Sequence, residues 1–180
     1  MNVRIRKLEP SDKTLVGRFD CGDPDLNDFL RRYAIGNPER QMYSATYIAV
    51  SPDIAHQILG YYTIANTSIP RITMPESIVH GQPRYPDIPA VVIGRLATEQ
   101  MYKGKGIGAE LLRDSFIKTL QVASISGSRY LVTLAYPSAV QFYEKYGFIE
   151  IGTPEDGKKT RRMALDLRTL RKAVENDCQS

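Results

Sequence analysis

Apolar residues recur along this chain with two different periods, and the switches between them mark its elements. Val3 and Ile5 alternate with Arg4 and Arg6, the period of two expected of a half-buried strand. Asp23 and Pro24 then signal a helix, because an Asp side chain caps unpaired N–H groups and Pro suits the first turn. Leu26, Phe29, Leu30 and Tyr33 follow at helical spacing, a stripe expected to face the core. Residues 46–50 and 58–68 are rich in β-branched and aromatic side chains and flank a turn containing Pro52 and Asp53, which predicts a hairpin. Residues 69–89 carry five prolines and are expected to form a loop.

From Ala90 to Thr98 the chain is almost continuously apolar over a strand's length, so a central strand buried on both faces is expected. A basic, glycine-rich turn leads to a long helical pattern over residues 108–123, through Ala109, Leu111, Leu112, Phe116 and Leu120. Residues 130–134 predict another short strand. Pro137 opens a second helix that stops at Gly147, and residues 148–151 and 163–167 predict two closing strands. Residues 168–180 predict a charged C-terminal helix fraying from Asn176 into a tail. No repeat or low-complexity linker divides the chain, so a single α/β domain over residues 1–180 is expected.

Composition narrows the class. A chain of 180 residues with 42% hydrophobic content can bury an ordinary core without metal or disulfide staples. The two cysteines, Cys21 and Cys178, lie far apart without metal-ligand spacing, so both are read as structural or incidental and no metal is expected. The longest uncharged stretch, Ile54 to Pro70, is broken by His56, Gln57, Asn66, Thr67 and Ser68, too polar for a membrane-spanning helix. The first residues alternate apolar and basic side chains, unlike a signal peptide, so a soluble cytoplasmic protein is expected. Lys and Arg total 24 against 20 Asp and Glu, a net +4 compatible with nucleic acid or with a phosphate-bearing cofactor.

Candidate chemistry enters at Lys103-Gly104-Lys105-Gly106-Ile107-Gly108. Three glycines between a buried strand and a long helix let backbone N–H groups approach an anion, and the helix dipole adds attraction. The same turn also serves as a C-cap or tight turn without a ligand. It is not a Walker loop, because the G-x-x-x-x-G-K-[ST] spacing is absent. A second constellation, Ala139 through Phe142-Tyr143 to Gly147-Phe148, is a helix ending on glycine and leading into a strand.

The glycine-rich turn joined to A-x-x-F-Y-x-x-x-G-F resembles the GNAT family of acetyl-coenzyme A-dependent N-acetyltransferases. That resemblance implies a single mixed, mostly antiparallel central sheet flanked by helices. Phe19-Asp20-Cys21-Gly22, Gly60-Tyr61-Tyr62-Thr63 and Ile88 through Ala97 look, in addition, like the GNAT toxins of type II toxin–antitoxin modules, which acetylate the α-amino group of aminoacyl-tRNA and stop translation. The family mechanism implies that Leu96, Ala97 and Thr98 pair with the pantetheine arm and that Lys103, Gly104, Lys105, Gly106, Ile107 and Gly108 hold the pyrophosphate, with Lys103 where the family usually has Gln or Arg. It implies Tyr143 as general acid and no enzyme nucleophile. Tyr136 and Tyr146 are read as packing or cofactor-rim residues. Candidates for a base are His56, His80, Glu99 or solvent.

Arg31, Arg32, Arg40 and Arg95 are candidate substrate contacts, and Lys158, Lys159, Arg161 and Arg162 form a further basic run; such runs also serve simply as solvated faces. The toxin resemblance implies aminoacyl-tRNA as substrate, a small ribbon-helix-helix antitoxin as partner and a homodimer. Two other readings stand beside it: an acetyltransferase for a small-molecule or protein amine, and a catalytically idle coenzyme A-binding module.

Overall fold

A computed structural model describes residues 2–35, 43–152 and 159–177. Its strands are β1 (Arg4–Lys7), β2 (Ala45–Ser51), β3 (Ile54–Pro70), β4 (Asp87–Thr98), β5 (Tyr130–Ala135), β6 (Ile149–Glu150) and β7 (Arg161–Asp166). The helices are α1 (Lys13–Arg18), α2 (Pro24–Asp28, continued by a π-helical turn over Phe29–Tyr33), α3 (Glu76–Val79), α4 (Ile107–Ser126), α5 (Val140–Glu144) and α6 (Leu167–Asp177). The seven strands form one mixed sheet in the order β1-β2-β3-β4-β5-β7-β6. Its β4–β5 ladder is parallel, whereas β1–β2, β2–β3, β5–β7 and β6–β7 are antiparallel. This is the mixed, mostly antiparallel α/β architecture expected.

The chain forms two compact units, Met1–Ala65 with Gly94–Ile117, and Asn66–Ile93 with Lys118–Ser180. In the first, Phe19, Leu30, Ile48, Ile58, Tyr61 and Ala97 are among the buried residues of one apolar cluster. The Asp23 side chain accepts hydrogen bonds from the N–H groups of Asp25 and Leu26, with Pro24 in the first turn, so α2 starts where expected. The stripe behind it is core only in part: Leu30 is fully buried, but Tyr33 is 51% exposed. The π turn adds a residue to the helical repeat, and a strictly helical spacing does not anticipate that shift. Gly60 is required by space: a Cβ there would lie 2.7 Å from the Ala97 carbonyl oxygen and 2.8 Å from Leu111 Cδ1.

In the second unit, Ile69, Met74, Val79, Ile88, Tyr130 and Ile151 belong to another buried cluster. The expected loop over residues 69–89 is more ordered than its prolines suggest. β3 runs on to Pro70, α3 occupies Glu76–Val79, and β4 begins at Asp87. Arg71 holds the segment together, its Nη1 donating to the Pro83 carbonyl at 2.9 Å and its Nη2 to that of Val79 at 2.8 Å. β4 is buried on both faces only around Ala90–Ile93; Gly94 is exposed, and Arg95, Leu96 and Thr98 are half-buried. α6 spans Leu167–Asp177, and the end of the expected tail, residues 178–180, lies outside the described residues.

Candidate active site

The turn between β4 and α4 is built from the strand outward. Glu99 is 4% exposed, and its two carboxylate oxygens accept the Asp20 N–H at 2.8 Å and the Gln100 N–H at 3.1 Å. Both oxygens therefore fasten backbone. After the 3-10 turn Gln100–Tyr102, Gly104 and Gly106 take φ of +75° and +86°, left-handed values that favour glycine. A Cβ at either position would meet nothing within 4 Å, so conformation, not crowding, calls for glycine there, and the turn stays open to approach.

The Gly106 carbonyl accepts the Glu110 N–H at 3.1 Å, which makes Gly106 the cap of α4. The N–H groups of Ile107, Gly108 and Ala109 have no preceding turn to bond to, and they sit at the positive end of a 20-residue helix. Ile107 anchors the turn, 1% exposed, while Lys103 and Lys105 flank it at the surface. Open backbone donors, two ammonium groups and a helix N-terminus suit a pyrophosphate. The residues present thus fit the diphosphate of a coenzyme.

The loop before α2 packs onto the same turn. The Asp20 carbonyl accepts the Gln100 N–H at 2.8 Å, and Asp20 Oδ1 accepts Gly22 N–H and Asn27 Nδ2, each at 2.8 Å. These two donors, aided by the nearby charges of Arg31 and Lys103, hold the Asp20 carboxyl below its ordinary range. Cys21 is buried, with its backbone N–H and its Sγ bonded to Asn27 Oδ1 at 2.9 and 3.2 Å, a structural role. The Phe19-Asp20-Cys21-Gly22 phrase is therefore the clamp that fixes α2 against the approach to the glycine turn.

Within the first unit a cavity of about 510 Å³ is lined by Lys7, Phe29, Tyr33, Tyr43, Thr63, Gly94 and Arg95, among others. Tyr61, Phe29 and Tyr33 stack in series, at 6.3 and 6.4 Å between centroids, and the Arg95 guanidinium lies 3.7 Å from the Phe29 ring centre. Among the described residues, no carboxylate lines this cavity. Of the candidate arginines among the described residues, Arg95 belongs to it. Arg31 donates to the Phe19 carbonyl at 2.7 Å, and exposed Arg32 sits 3.6 Å from Asp28. Arg40 and Lys158 lie outside the described residues, as do Cys178 and the side chain of His56. Lys7, Tyr33 and Tyr43 were missed by sequence reasoning; the available signal was Gly94 interrupting an apolar strand, where a Cβ would sit 3.0 Å from Thr63 Oγ1.

The second unit holds Tyr143. Phe142 and Phe148 meet its ring edge to face at 5.2 and 5.3 Å, and Gly147, at φ +84°, turns the chain so that Phe148 folds back on it. The Tyr143 side chain is 5% exposed. Burial pushes its phenol above the ordinary tyrosine range. Tyr146 packs on Phe142 at 5.4 Å, Tyr136 is 40% exposed, and His80 lies exposed at the end of α3. The β4–β5 ladder ends at Ile93↔Thr133, while β4 continues through Leu96, Ala97 and Thr98.

Residues 54–150 match the model of the acetyltransferase (GNAT) domain. The chain belongs to the GNAT acetyltransferase family. It is an acetyl-coenzyme A-dependent acyltransferase. A tRNA-acetylating toxin of Mycobacterium tuberculosis is 30% identical over 161 residues, covering 89% of this chain and 92% of that one. The structure of AtaT complexed with acetyl-methionyl-tRNAfMet superimposes with a TM-score of 0.82 at 25% identity, over 96% of this chain and 99% of that chain. AtaTR bound with AcCoA aligns with a TM-score of 0.76 at 26% identity, over 96% and 98% of the two chains. Among the described residues, no helix of this GNAT protein is long and apolar enough to cross a membrane, and no cluster of acidic, Cys or His side chains is arranged to hold a metal.

Proposed function

We propose that this enzyme transfers the acetyl group of acetyl-coenzyme A to the α-amino group of an aminoacyl-tRNA, and so blocks translation as a toxin. The observation that supports the reading is the cavity with Lys7, Arg95 and a series of aromatic rings on its wall and, among the described residues, no carboxylate. A polyamine or a lysine side chain, cationic at neutral pH, finds no counter-charge among the described lining residues. An aminoacyl ester at the end of a polyphosphate chain finds two cations and ring faces on which a base can stack.

The chemistry agrees. An α-amino group titrates near pH 7.7 to 8.0, so an appreciable fraction is neutral at pH 7 and solvent suffices as base; a lysine amine near 10.4 would require a strong one. The neutral nitrogen attacks the thioester carbonyl, the C–S bond breaks, Tyr143 protonates the departing sulfur, and the new amide nitrogen releases its proton to water. A phenol holds its proton at neutral pH, while a thiolate, with a conjugate acid near 8.5, accepts one. The pantetheine arm adds to the backbone of Leu96, Ala97 and Thr98 as a strand would. Lys103 to Gly108 take the pyrophosphate. The toxin resemblance extends the reading to a homodimer restrained by a small ribbon-helix-helix antitoxin.

The test is incubation with labelled acetyl-coenzyme A and charged total tRNA, beside deacylated tRNA and a panel of free amines. Label is expected on charged tRNA alone. Label on free amines alone would make this a small-molecule acetyltransferase, and label nowhere an idle coenzyme A-binding module.

A further inference from the structure

Two threonines face each other across β2 and β3, in the pairing Thr46↔Thr63, and they are 7% and 1% exposed. Both line the cavity that holds Phe29 and Arg95. Valine would fill the same volume with no oxygen to bury, and a buried hydroxyl without a partner costs free energy. Other buried hydroxyls of the chain are spent on carbonyls: Thr133 donates to that of Ile93 at 3.0 Å and Ser115 to that of Leu112 at 2.6 Å. Among the described residues, neither Thr46 nor Thr63 has a hydrogen-bond partner for its side chain. Thr119 Oγ1 is unpaired as well, but it is sealed from solvent, whereas these two open on a cavity. Thr63 is reached there because residue 94 is glycine: a Cβ at that position would lie 3.0 Å from Thr63 Oγ1.

We propose that Thr63 and Thr46 are the subsite for the attacking α-amino group, their two hydroxyl oxygens accepting its two N–H hydrogens while Gly94 keeps Thr63 uncovered. The proposal rests on the reading of this enzyme as an aminoacyl-tRNA acetyltransferase. A neutral amine carries two hydrogens and one lone pair, so two acceptors hold both hydrogens and leave the lone pair directed away from them, toward the thioester. The spacing suits one nitrogen. Acceptors about 2.9 Å from it at a tetrahedral angle stand roughly 4.7 Å apart, and residues directly opposite in an antiparallel pair have Cβ atoms about 4.5 to 5.5 Å apart. The order along β4 agrees: Gly94 and Arg95 come first, then Leu96, Ala97 and Thr98, then the glycine turn. With the pyrophosphate at that turn and the arm on Leu96 to Thr98, the acyl end falls on the Gly94 side, where the threonines lie. The threonines neither gain nor lose a proton in the transfer. They hold the nucleophile, and Lys7 and Arg95 on the same cavity wall disfavour its protonated form.

The test compares the parent with Thr63→Val, Thr63→Ser and Gly94→Ala, using acetyl-coenzyme A and charged total tRNA. Thr63→Val is expected to lower kcat/KM for charged tRNA about tenfold, the worth of one hydrogen bond, with KM for acetyl-coenzyme A held within about twofold. Its melting temperature should equal or exceed the parent's, because the change removes a hydroxyl that the free protein leaves unbonded. Thr63→Ser keeps the oxygen and stays within about threefold of the parent. Gly94→Ala leaves Thr63 in place but sets a methyl group against its hydroxyl, so it falls about as far as Thr63→Val. Affinity gives a readout that packing alone would not move. Without acetyl-coenzyme A, the tRNA that takes label is bound once as its aminoacyl ester and once as the ester of the same acid lacking the amino group. The parent prefers the amino ester, and Thr63→Val loses about tenfold of that preference. A Thr63→Val protein that fails to fold or melts several degrees lower assigns the hydroxyl to structure and overturns the proposal. So does Thr63→Ser falling as far as Thr63→Val, Gly94→Ala at parental kcat/KM, or an unchanged preference for the amino ester. A parent that labels no charged tRNA removes the reading on which the proposal rests, whereas an active parent beside an unimpaired Thr63→Val removes only the role of Thr63.

Discussion

Tyr143 joins two demands in one side chain. Its ring is structural, wedged between Phe142 and Phe148, and only its oxygen is free to take part in chemistry. Tyr143→Phe keeps the ring, so it is expected to melt close to the parent temperature while kcat falls by about 10² or more, the contribution of one general acid. The pH dependence has a definite sign. Burial raises the phenols of both Tyr143 and Tyr62, the latter also bonded to Asp114 at 2.6 Å, so folding favours their neutral forms. Their contribution to stability is whole below the unfolded value of about 10 and is lost as pH rises beyond it. Urea melts should therefore show no loss from these groups between pH 7 and 9 and a decline above about 10; a decline already at pH 8 would contradict the assignment. Tyr143 could be found from its motif because helix, tyrosine and glycine stop are contiguous. The bond of Thr133 to the Ile93 carbonyl could not, since a lone threonine in an apolar strand states its cost but not its partner, which comes from β4.

At the level of the elements, periodicity located the strands and helices well where one face is buried and the other wet. It failed where proline was taken as the end of order. Pro70 and Pro89 both lie within strands of the structure, and the carbonyls between Val79 and Pro86 are collected by the side chain and N–H of Arg71, a contact no local pattern announces. The two motif glycines of the first unit act by different means. Gly60→Ala must push the Ala97 carbonyl or Leu111 aside, and a loss of about 1 to 3 kcal/mol is expected in chemical denaturation. Gly106→Asp meets open space, so its fold should persist, but a side chain forced to positive φ with a carboxylate at the anion site should weaken coenzyme A binding at least tenfold by calorimetry. Unchanged affinity would take the pyrophosphate away from this turn.

For the molecule as a whole, net charge said little on its own, because +4 on 180 residues fits many partners. What it could not convey was placement. Of four arginines singled out by sequence, Arg31 is committed to the Phe19 carbonyl, whereas Arg95 lies flat on Phe29 at the cavity wall. If the substrate is tRNA, KM for it should rise steeply with salt, by a factor set by the number of phosphates contacted, while KM for a minimal aminoacylated CCA fragment rises less. Equal salt dependence for both would confine recognition to the fragment. The order of the sheet was also beyond local reading: β7 enters between β5 and β6 through pairings such as Leu131↔Leu165 that hydrophobic period cannot specify.

The carboxylate of Glu99 spans 79 positions of sequence to reach the Asp20 N–H, while its other oxygen takes the Gln100 N–H at the foot of the glycine turn. One side chain thus makes the clamp before α2 and the floor of the coenzyme turn a single lever. Tightening at the coenzyme end must be felt by the amide of Asp20, whose exchange with deuterated solvent should slow when acetyl-coenzyme A is added, although no atom of the coenzyme need touch it. In Glu99→Gln one of the two oxygens becomes an amide nitrogen facing an N–H, and the slowing at Asp20 should vanish with the broken linkage.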